Sequence, residues 1–524
     1  MGKVRNILFI MCDQLRADYL SCYGHPTLET PNLDRLASRG VLFSRAYTQA
    51  PVCGPSRMSF YTGRYSYAHG SSWNFVSLNV GIPTLGDYLR PEGLRSVLVG
   101  KTHMAPDVEG MKRLGVDPNS SLGILNAQCG FEPYERDDGL HPDKIVSPDL
   151  AYNKYLRDQG YDSDNPWHEY ANSAEGDDGE LLSGWNMRNA QRPARVKEEH
   201  SETPYMTDRA IEFMEDAGDD PWCLHLSYIK PHWPYIVPAP YHDMYSANQC
   251  LPVNKSPIEL EDPHPVYAAY MNHVESQTFA RDEVVQTVVP TYMGLVKQID
   301  DNLGRLFEYL EKAGRMDDTL IVFTSDHGDF LGDHWLGEKE LFYESSTRIP
   351  MIVYDPDPAA DAARGSIDDR FVEAIDLVPT FIDAVGGSVP DHMLEGRSLL
   401  PLLRGESVAN WRDAVFSEID YAFYGARGEL SLDPYDCRVF MVRTDRWKYI
   451  HHRRFRPQLF DMVNDPQEFI DLGDDPTMDA VMEEMKGRLF DWFTDMKTRT
   501  TISDEMVRKR TGLGRQKGII IGEW

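Results

Sequence analysis

Residues 320–329 read LIVFTSDHGD, an apolar run of β-branched and aromatic residues that breaks at Ser325-Asp326-His327-Gly328-Asp329. A short apolar run closed by polar turn formers predicts a buried strand over Leu320–Phe323. Just upstream, Tyr292–Ala313 sets Leu295, Ile299, Leu303, Leu306 and Leu310 at helical spacing and stops near Gly314. Working outward, Ile7–Met11, Ser96–Gly100, Trp222–Tyr228 and Pro350–Val353 are further short apolar runs, with longer helical patterns between several of them. Strands alternating with helices imply crossover units and a large, mostly parallel sheet covered on both faces, an α/β fold.

Ligands in open α/β sheets sit outside the carboxyl ends of the strands, so the residues that close each run matter. ILFIM leads to Cys12-Asp13-Gln14, SVLVG to Lys101-Thr102-His103, WCLHLSYI to Lys230-Pro231-His232, and LIVFT to Ser325-Asp326-His327. One such ending is ordinarily a helix cap or a turn; four in one chain point to a convergent site. Asp13, Gln14 and Asp326 offer hard oxygens and His327 a ring nitrogen. That set suits one divalent ion, Ca²⁺, Mg²⁺ or Mn²⁺, better than a closed structural zinc site. Asp329, Asp333 and His334 come next in DHGDFLGDH and would supply a second metal, which keeps a two-metal phosphoesterase open.

Residues 51–63 read PVCGPSRMSFYTG. Pro55 suits the first turn of a helix, so Cys53 lies at a helix N-terminus, where backbone N–H groups and the dipole favour an anion. Arg57 sits one turn in and reaches the same anion. Cys53 is therefore either a low-pKa thiolate nucleophile or a structural cysteine at a helix start.

The chain has 524 residues, too long for one small module. Its patterns divide it into a catalytic α/β domain (1–400), a smaller α+β subdomain (401–499) and a tail (500–524). The polar stretch 137–200 is an insertion over the core, either a lid or a solvated excursion. Val439–Val442, Trp447–Ile450 and Gln458–Met462 read as short strands and Met478–Thr494 as a helix. The tail ends in GIIIGEW and is either an oligomerisation arm or a segment packed on its own subunit.

The formal net charge is −30. Such a surface repels phosphate backbones and anionic lipid, so neither nucleic acid nor membrane is an expected partner. The seven cysteines are scattered without C-x-x-C pairs, which argues against a disulfide framework and for a reducing compartment. No signal-peptide pattern or spanning run is visible, so a cytoplasmic location is expected.

CGPSR at Cys53–Arg57, continuing to Thr62-Gly63, resembles the C-x-P-S-R…T-G signature of the type I sulfatases of the alkaline phosphatase superfamily. The opening FIMCDQLRADYLSCYG, the K-x-H at Lys101–His103, KPHWP at Lys230–Pro234, TSDHGDFLGDH with Lys339, and the late RTDRWKYI and LFDMVNDPQE extend the resemblance from near residue 5 to near residue 475. Within the family the chain is most similar to the cytoplasmic bacterial arylsulfatases and phosphonate monoester hydrolases, on Asp13-Gln14 and Asp326-His327. Phosphonate monoester hydrolases tend to have hydroxyl residues at the K-x-H pair; Lys101 and His103 here favour sulfate esters. Choline sulfatases are also near relatives, so the alcohol, aryl or alkyl, stays open.

The resemblance implies an alkaline phosphatase-like fold and a small anionic ester as substrate. Cys53 becomes formylglycine by a maturation enzyme, and its hydrate attacks sulfur to give a covalent sulfate hemiacetal. Asp13, Gln14, Asp326, His327 and residue 53 hold the metal, and Arg57 holds the hydrate. Lys101, Lys339 and His232 surround the sulfate, with His232 as general acid, and His103 removes the second hydroxyl proton. Phosphonate monoesters and phosphodiesters carry the same single charge, so promiscuity toward them, or a primary role on them, is the alternative. A homo-oligomer, dimer or tetramer, is expected. Asn74 is assigned to substrate contact, and Trp73 and Phe75 are read as ordinary core aromatics, with the lining of a hydrophobic leaving-group pocket as the alternative.

Overall fold

The computed structural model describes residues 4–139, 142 and 149–513. Its centre is an eight-stranded sheet. The strand order is Ser366–Asp368, Val41–Phe43, Met351–Tyr354, Thr319–Ser325, Asn6–Asp13, Trp222–Pro231, Arg95–Gly100 and Glu132–Arg136. Met351–Tyr354 runs antiparallel to both its neighbours, and the other pairings are parallel. Every residue of Asn6–Asp13 is buried, because both faces of the sheet are covered. Leu8 and Ile10 join Leu224, Leu226, Ile321 and Phe323 on one face, under the helices Glu202–Ala217 and Asp282–Lys312. Ile7, Phe9 and Met11 join Leu98, Leu320 and Val322 on the other, under Cys53–Thr62 and Leu377–Ala384. That period of two is the strand alternation working on two cores at once.

The five anticipated strands are all present. Four extend beyond their apolar cores, and the fifth, Met351–Tyr354, starts one residue past Pro350. The helix expected over Tyr292–Ala313 begins earlier, at Asp282. Its first turns carry Pro290 and only part of an apolar stripe, so the pattern there is weaker. The four strands whose endings were singled out are the four adjacent ones in mid-sheet. Parallel pairing brings their carboxyl ends to one edge.

The stretch 149–200 is neither bare nor featureless. It holds the helix Ala151–Asp158, a turn of π-helix at Trp167–Ala171 and the hairpin of Ser173–Glu175 with Leu181–Ser183. Tyr152, Leu156 and Trp167 are buried in the main core. After residue 400 an antiparallel sheet forms from Ala414–Asp420, Arg438–Thr444, Trp447–His452 and Gln458–Asp461. The helix Asp479–Asp495 packs Met485, Leu489 and Trp492 against Val442, Tyr449 and Leu459. The helix Asp504–Arg510 comes after it, and GIIIGEW lies outside the described residues. All seven cysteines are free, and no helix among the described residues is long and apolar enough to cross a membrane.

Lys448 ties the small sheet to the catalytic layer. Its buried Nζ donates to the Phe342 carbonyl at 2.8 Å and pairs with Glu468 at 2.6 Å and Glu344 at 2.9 Å. Removing one member of a buried ionic set leaves the others uncompensated. Lys448→Met is expected to cost about 3 kcal/mol, the low end for such a loss because Arg443 stays near Glu344. The shift of the denaturant midpoint measures it.

Candidate active site

Cys53 is the first residue of the helix Cys53–Thr62 and is buried where the four strands end. Val52, just before it, is extended, so the helix starts abruptly at Cys53. Gly54 must be small: a Cβ there would lie 2.9 Å from Asn74 Oδ1, which accepts the Gly54 N–H at 2.8 Å. Asn74 thus fastens the loop beyond the helix onto the helix start, and it also lines the cavity above Cys53.

The Cys53 Sγ lies 3.2 Å from His327 Nε2 and 3.6 Å from Asp13 Oδ1. One donor atom from each of Asp13, Cys53, Asp326 and His327 lies within 4.8 Å of every other. His327 Nδ1 is 2.8 Å from the Gly328 carbonyl. A carbonyl only accepts, so Nδ1 carries a proton and Nε2 is the ring atom turned toward the cluster. Two carboxylates, a ring nitrogen so oriented and residue 53 fit a divalent cation. An oxygen-bearing side chain at position 53, in place of sulfur, makes the set suit a hard ion.

Arg57 knits this cluster. Its Nε donates to Asp326 Oδ2 at 2.9 Å, and its two terminal nitrogens reach Asp13 Oδ2 at 3.1 Å, the Lys101 carbonyl at 2.9 Å and Ser227 Oγ at 2.7 Å. Lys101 Nζ meets Asp13 Oδ2 at 2.6 Å. Burial and the nearby Cys53 push the Asp13 carboxyl up, but Lys101, His232 and Arg57 outweigh them and hold it below the ordinary carboxylate range. Burial also pushes the Cys53 thiol up; Lys339, Lys101 and His327 prevail and hold it well below its usual value. The helix start is thus a site built for an anion on residue 53.

Gln14 stands beside the quartet. Its Nε2 donates to Asp329 Oδ2 at 2.6 Å and its Oε1 accepts from Lys339 Nζ at 2.8 Å. Lys339 also lies 3.3 Å from His232 Nε2. His232 Nδ1 is committed to the Trp233 carbonyl at 2.8 Å, so Nε2 is its acceptor. Burial and then Lys339 push His232 down to about 4. At neutral pH the proton of this pair is therefore on Lys339, not on the histidine expected to be the acid. His103 faces the same cavity with its backbone at φ 53. Its N–H and that of Thr102 both donate to Asp138 Oδ1 at 2.9 Å, and its ring Nδ1 is buried with no hydrogen-bond partner among the described residues.

Two expectations are corrected. The second metal set is not assembled. Asp333 pairs with Arg16 at 2.8 Å, His334 Nδ1 with Glu259 at 2.6 Å, and Asp329 accepts from Gln14 and Tyr235. Left-handed backbone at Leu331, Gly332 and His334 turns the chain away from Cys53, so proximity in sequence does not become proximity in space. Phe75 is not an ordinary core aromatic, whereas Trp73 is buried in a core cluster as expected and also borders the cavity. Phe75 lines the same cavity and is 79% exposed, because Asn74 holds their loop at its mouth.

The cavity encloses about 380 Å³. Its lining includes groups that sequence reasoning missed: Asp138, Trp167 and Trp185 from the insertion, Glu275, Glu338 and Glu340, and Phe423 and Tyr424 from the C-terminal part. Only Glu338 and Glu340 carried a signal, their flanking of Lys339; the others converge from loops without a motif.

The chain matches the sulfatase family over residues 5–138 and 148–387. It belongs to the sulfatase family. Residues 332–495 match the C-terminal region of N-sulphoglucosamine sulphohydrolase. The sulfatase is 32% identical to the multifunctional alkaline phosphatase superfamily protein PehA of Trinickia caryophylli, over 95% of this chain and 96% of that one. It is 28% identical to an arylsulfatase of Clostridium perfringens, over 89% and 90%. Among solved structures it resembles the phosphonate monoester hydrolase SpPMH of Silicibacter pomeroyi, with a TM-score of 0.83 and 29% identity over 95% of this chain and 96% of that one. The alkaline phosphatase-like fold expected from the motifs is thus the fold of this sulfatase.

Proposed function

We propose that this sulfatase hydrolyses sulfate monoesters of small aryl or alkyl alcohols, using a formylglycine made from Cys53 and one divalent ion. The observation that carries the reading is Cys53 at a helix start within the Asp13, Asp326 and His327 quartet, ringed by Lys101, Lys339 and His232. Asp13, Asp326, His327 and residue 53, with Gln14 alongside, would hold the ion, which would supply Lewis acidity, and the hydrate of a formylglycine at position 53 would supply a hydroxyl nucleophile at neutral pH.

The chain's own groups do the rest. Arg57 fixes both carboxylates and keeps residue 53 in an electropositive setting. Lys101 and Lys339 bind the sulfuryl oxygens and stabilise the charge that develops on them. Lys339 donates a proton from Nζ to the leaving oxygen and is left neutral, while His232, its acceptor partner, orients it. His103, which lines the same cavity as Cys53, is the base for the second hydroxyl proton of residue 53. We assign residues 1–400 to the catalytic unit and 401–499 to the subdomain that completes the cavity through Phe423 and Tyr424. A maturation enzyme acting on Cys53, a cytoplasmic location and a dimeric or tetrameric assembly belong to the same proposal.

A second reading, phosphonate monoester or phosphodiester hydrolysis, is favoured by the likeness to the phosphonate monoester hydrolase SpPMH. Lys101 and His103 weigh for sulfate. The test is kcat/KM on an aryl sulfate and an aryl phosphonate with the same leaving group, using protein whose Cys53 conversion is verified. The sulfate is expected to be the better substrate; a phosphonate preference overturns the assignment. His232→Ala is expected to lower kcat by on the order of 10²–10³-fold for a poor leaving group. The loss should be much smaller for a nitrophenolate, which departs without a proton.

A further inference from the structure

Once Lys339 has given a proton to the leaving oxygen, its Nζ is neutral and must be recharged before the next turnover. The side chain is buried, so bulk water has little access to it. Three polar groups reach Nζ: Gln14 Oε1 at 2.8 Å, His232 Nε2 at 3.3 Å and Glu338 Oε2 at 3.5 Å. The Gln14 carbonyl oxygen only accepts. His232 Nε2 is itself an acceptor, since the ring proton is committed at Nδ1 to the Trp233 carbonyl. Of the three, only Glu338 can return a proton.

Glu338 is placed to do so. Consecutive side chains of an extended chain point to opposite faces, yet Glu338 and Lys339 line one cavity. The backbone at Glu338 is left-handed, with φ 66°, a region that side-chain-bearing residues rarely adopt. Its carbonyl is pinned there by the Phe330 N–H at 2.8 Å. The Glu338 side chain is 16% exposed against 5% for Lys339, so it meets both the buried amine and the water of the cavity. Burial pushes the Glu338 carboxyl up to about 7; Asp329, Glu275 and Cys53 add to this and Lys339 opposes it. Glu340, Tyr235 and Tyr424 also face Glu338, which in turn helps to push each of them up. Burial pushes Lys339 down, but Cys53, Glu338, Asp13 and Glu340 outweigh it and hold the ammonium above its usual value. Transfer from a neutral Glu338 to a neutral Lys339 is therefore downhill.

We propose that Glu338 is the proton store that recharges Lys339. The Oε2–H bond of Glu338 breaks, its proton joins the Nζ lone pair, and the ammonium is restored beside a carboxylate. That carboxylate regains a proton from water in the cavity. A sulfate ester anion and water give an alcohol, a sulfate dianion and one proton, so the reaction itself releases what the store takes up and no co-reactant is needed. Glu338 acts through Lys339 rather than on the ester. The proposal rests on the ester-hydrolase reading of the site, with Lys339 as the acid.

The experiment compares an alkyl sulfate, whose alcohol must leave with a proton, and nitrophenyl sulfate, whose alcohol need not, on metal-loaded, Cys53-converted enzyme. Only the neutral carboxyl recharges Lys339, so kcat on the alkyl sulfate is expected to fall as pH rises through about 7. In Glu338→Gln that limb should vanish, and steady-state kcat on the alkyl sulfate should drop at least about tenfold. The first turnover should keep its rate to within about twofold, because Lys339 starts charged, so a burst of alcohol precedes the slow phase. The rate on nitrophenyl sulfate should change by about twofold or less. Glu338→Asp keeps a carboxyl and suits a left-handed backbone, and is expected to recover most of the alkyl sulfate rate. A first turnover slowed as much as the steady state overturns the proposal, since a misplaced Lys339 would do that; so do equal losses on the two esters. Infrared difference spectra, parent minus Glu338→Gln, read the same carboxyl without catalysis. A neutral-carboxyl band is expected, fading as pH rises through about 7; its absence overturns the proposal. An enzyme that shows the band but hydrolyses neither the sulfates nor an aryl phosphonate contradicts the hydrolase reading and supports the store beside Lys339. Should Glu338→Gln not fold, the pH limb of the unaltered enzyme and its shift in Glu338→Asp decide it.

Discussion

Cys53→Ala is expected to lower kcat toward an aryl sulfate by on the order of 10⁴–10⁶-fold, the scale seen when a nucleophile is removed from an otherwise intact site. The loss should be in kcat rather than KM. The groups that bind the ester, Lys101 and Lys339, are held by Asp13 and Gln14, not by Cys53. The fold should survive, since the helix start is fastened by Asn74 on the Gly54 N–H, and alanine fills the first helical position without clash. Cys53→Ser is expected to behave like Cys53→Ala unless the maturation enzyme accepts serine. A serine hydroxyl has no second proton through which to release a bound sulfuryl group, so a single slow turnover is its signature. Steady-state kinetics with burst analysis, beside circular dichroism, separates these outcomes.

Arg57→Ala carries the second large effect, on stability as well as rate. The guanidinium is fully buried and bridges Asp13 and Asp326. Without it, two buried carboxylates face each other with Lys101 and His327 as remaining partners. Breaking a buried ion pair from one side costs about 3–5 kcal/mol. That cost should be seen in full when the protein is unfolded in a chelator, and should shrink when a divalent ion is added, because the ion takes over part of the compensation. The denaturant midpoint with and without Ca²⁺ or Mn²⁺ reads both. An Arg57→Ala protein as stable as its parent in chelator would mean that the two carboxylates are not held as charged partners.

Much of this site is legible in the sequence because α/β topology converts strand endings into one place. Asp13, Lys101, His232 and Asp326 are far apart along the chain, yet each comes after an apolar run, and the parallel register of four neighbouring strands brings them together. The CGPSR motif is legible for a different reason: a helix N-terminus has its own chemistry. The parts that escape sequence reasoning are placed by loops. Asp333 and His334 look like ligands beside Asp326, but a run of left-handed residues turns them toward Arg16 and Glu259. Phe75 reads as core because aromatic residues are usually buried, whereas the loop that Asn74 fastens to the Gly54 N–H leaves it exposed at the cavity mouth. The proton in the His232–Lys339 pair depends on burial and on a 3.3 Å contact, neither of which has a sequence signal. The carboxylates and rings around the outer cavity come from separate segments and share no motif.

The central claim is that residue 53 reacts as formylglycine rather than as cysteine. Its most direct test is mass spectrometry of the tryptic peptide Ala46–Arg57 across preparations made with increasing amounts of maturation enzyme, each assayed for aryl sulfate hydrolysis. Specific activity is expected to rise in proportion to the aldehyde fraction and to extrapolate to zero at none. Full activity in protein whose peptide carries only intact Cys53 would contradict the claim.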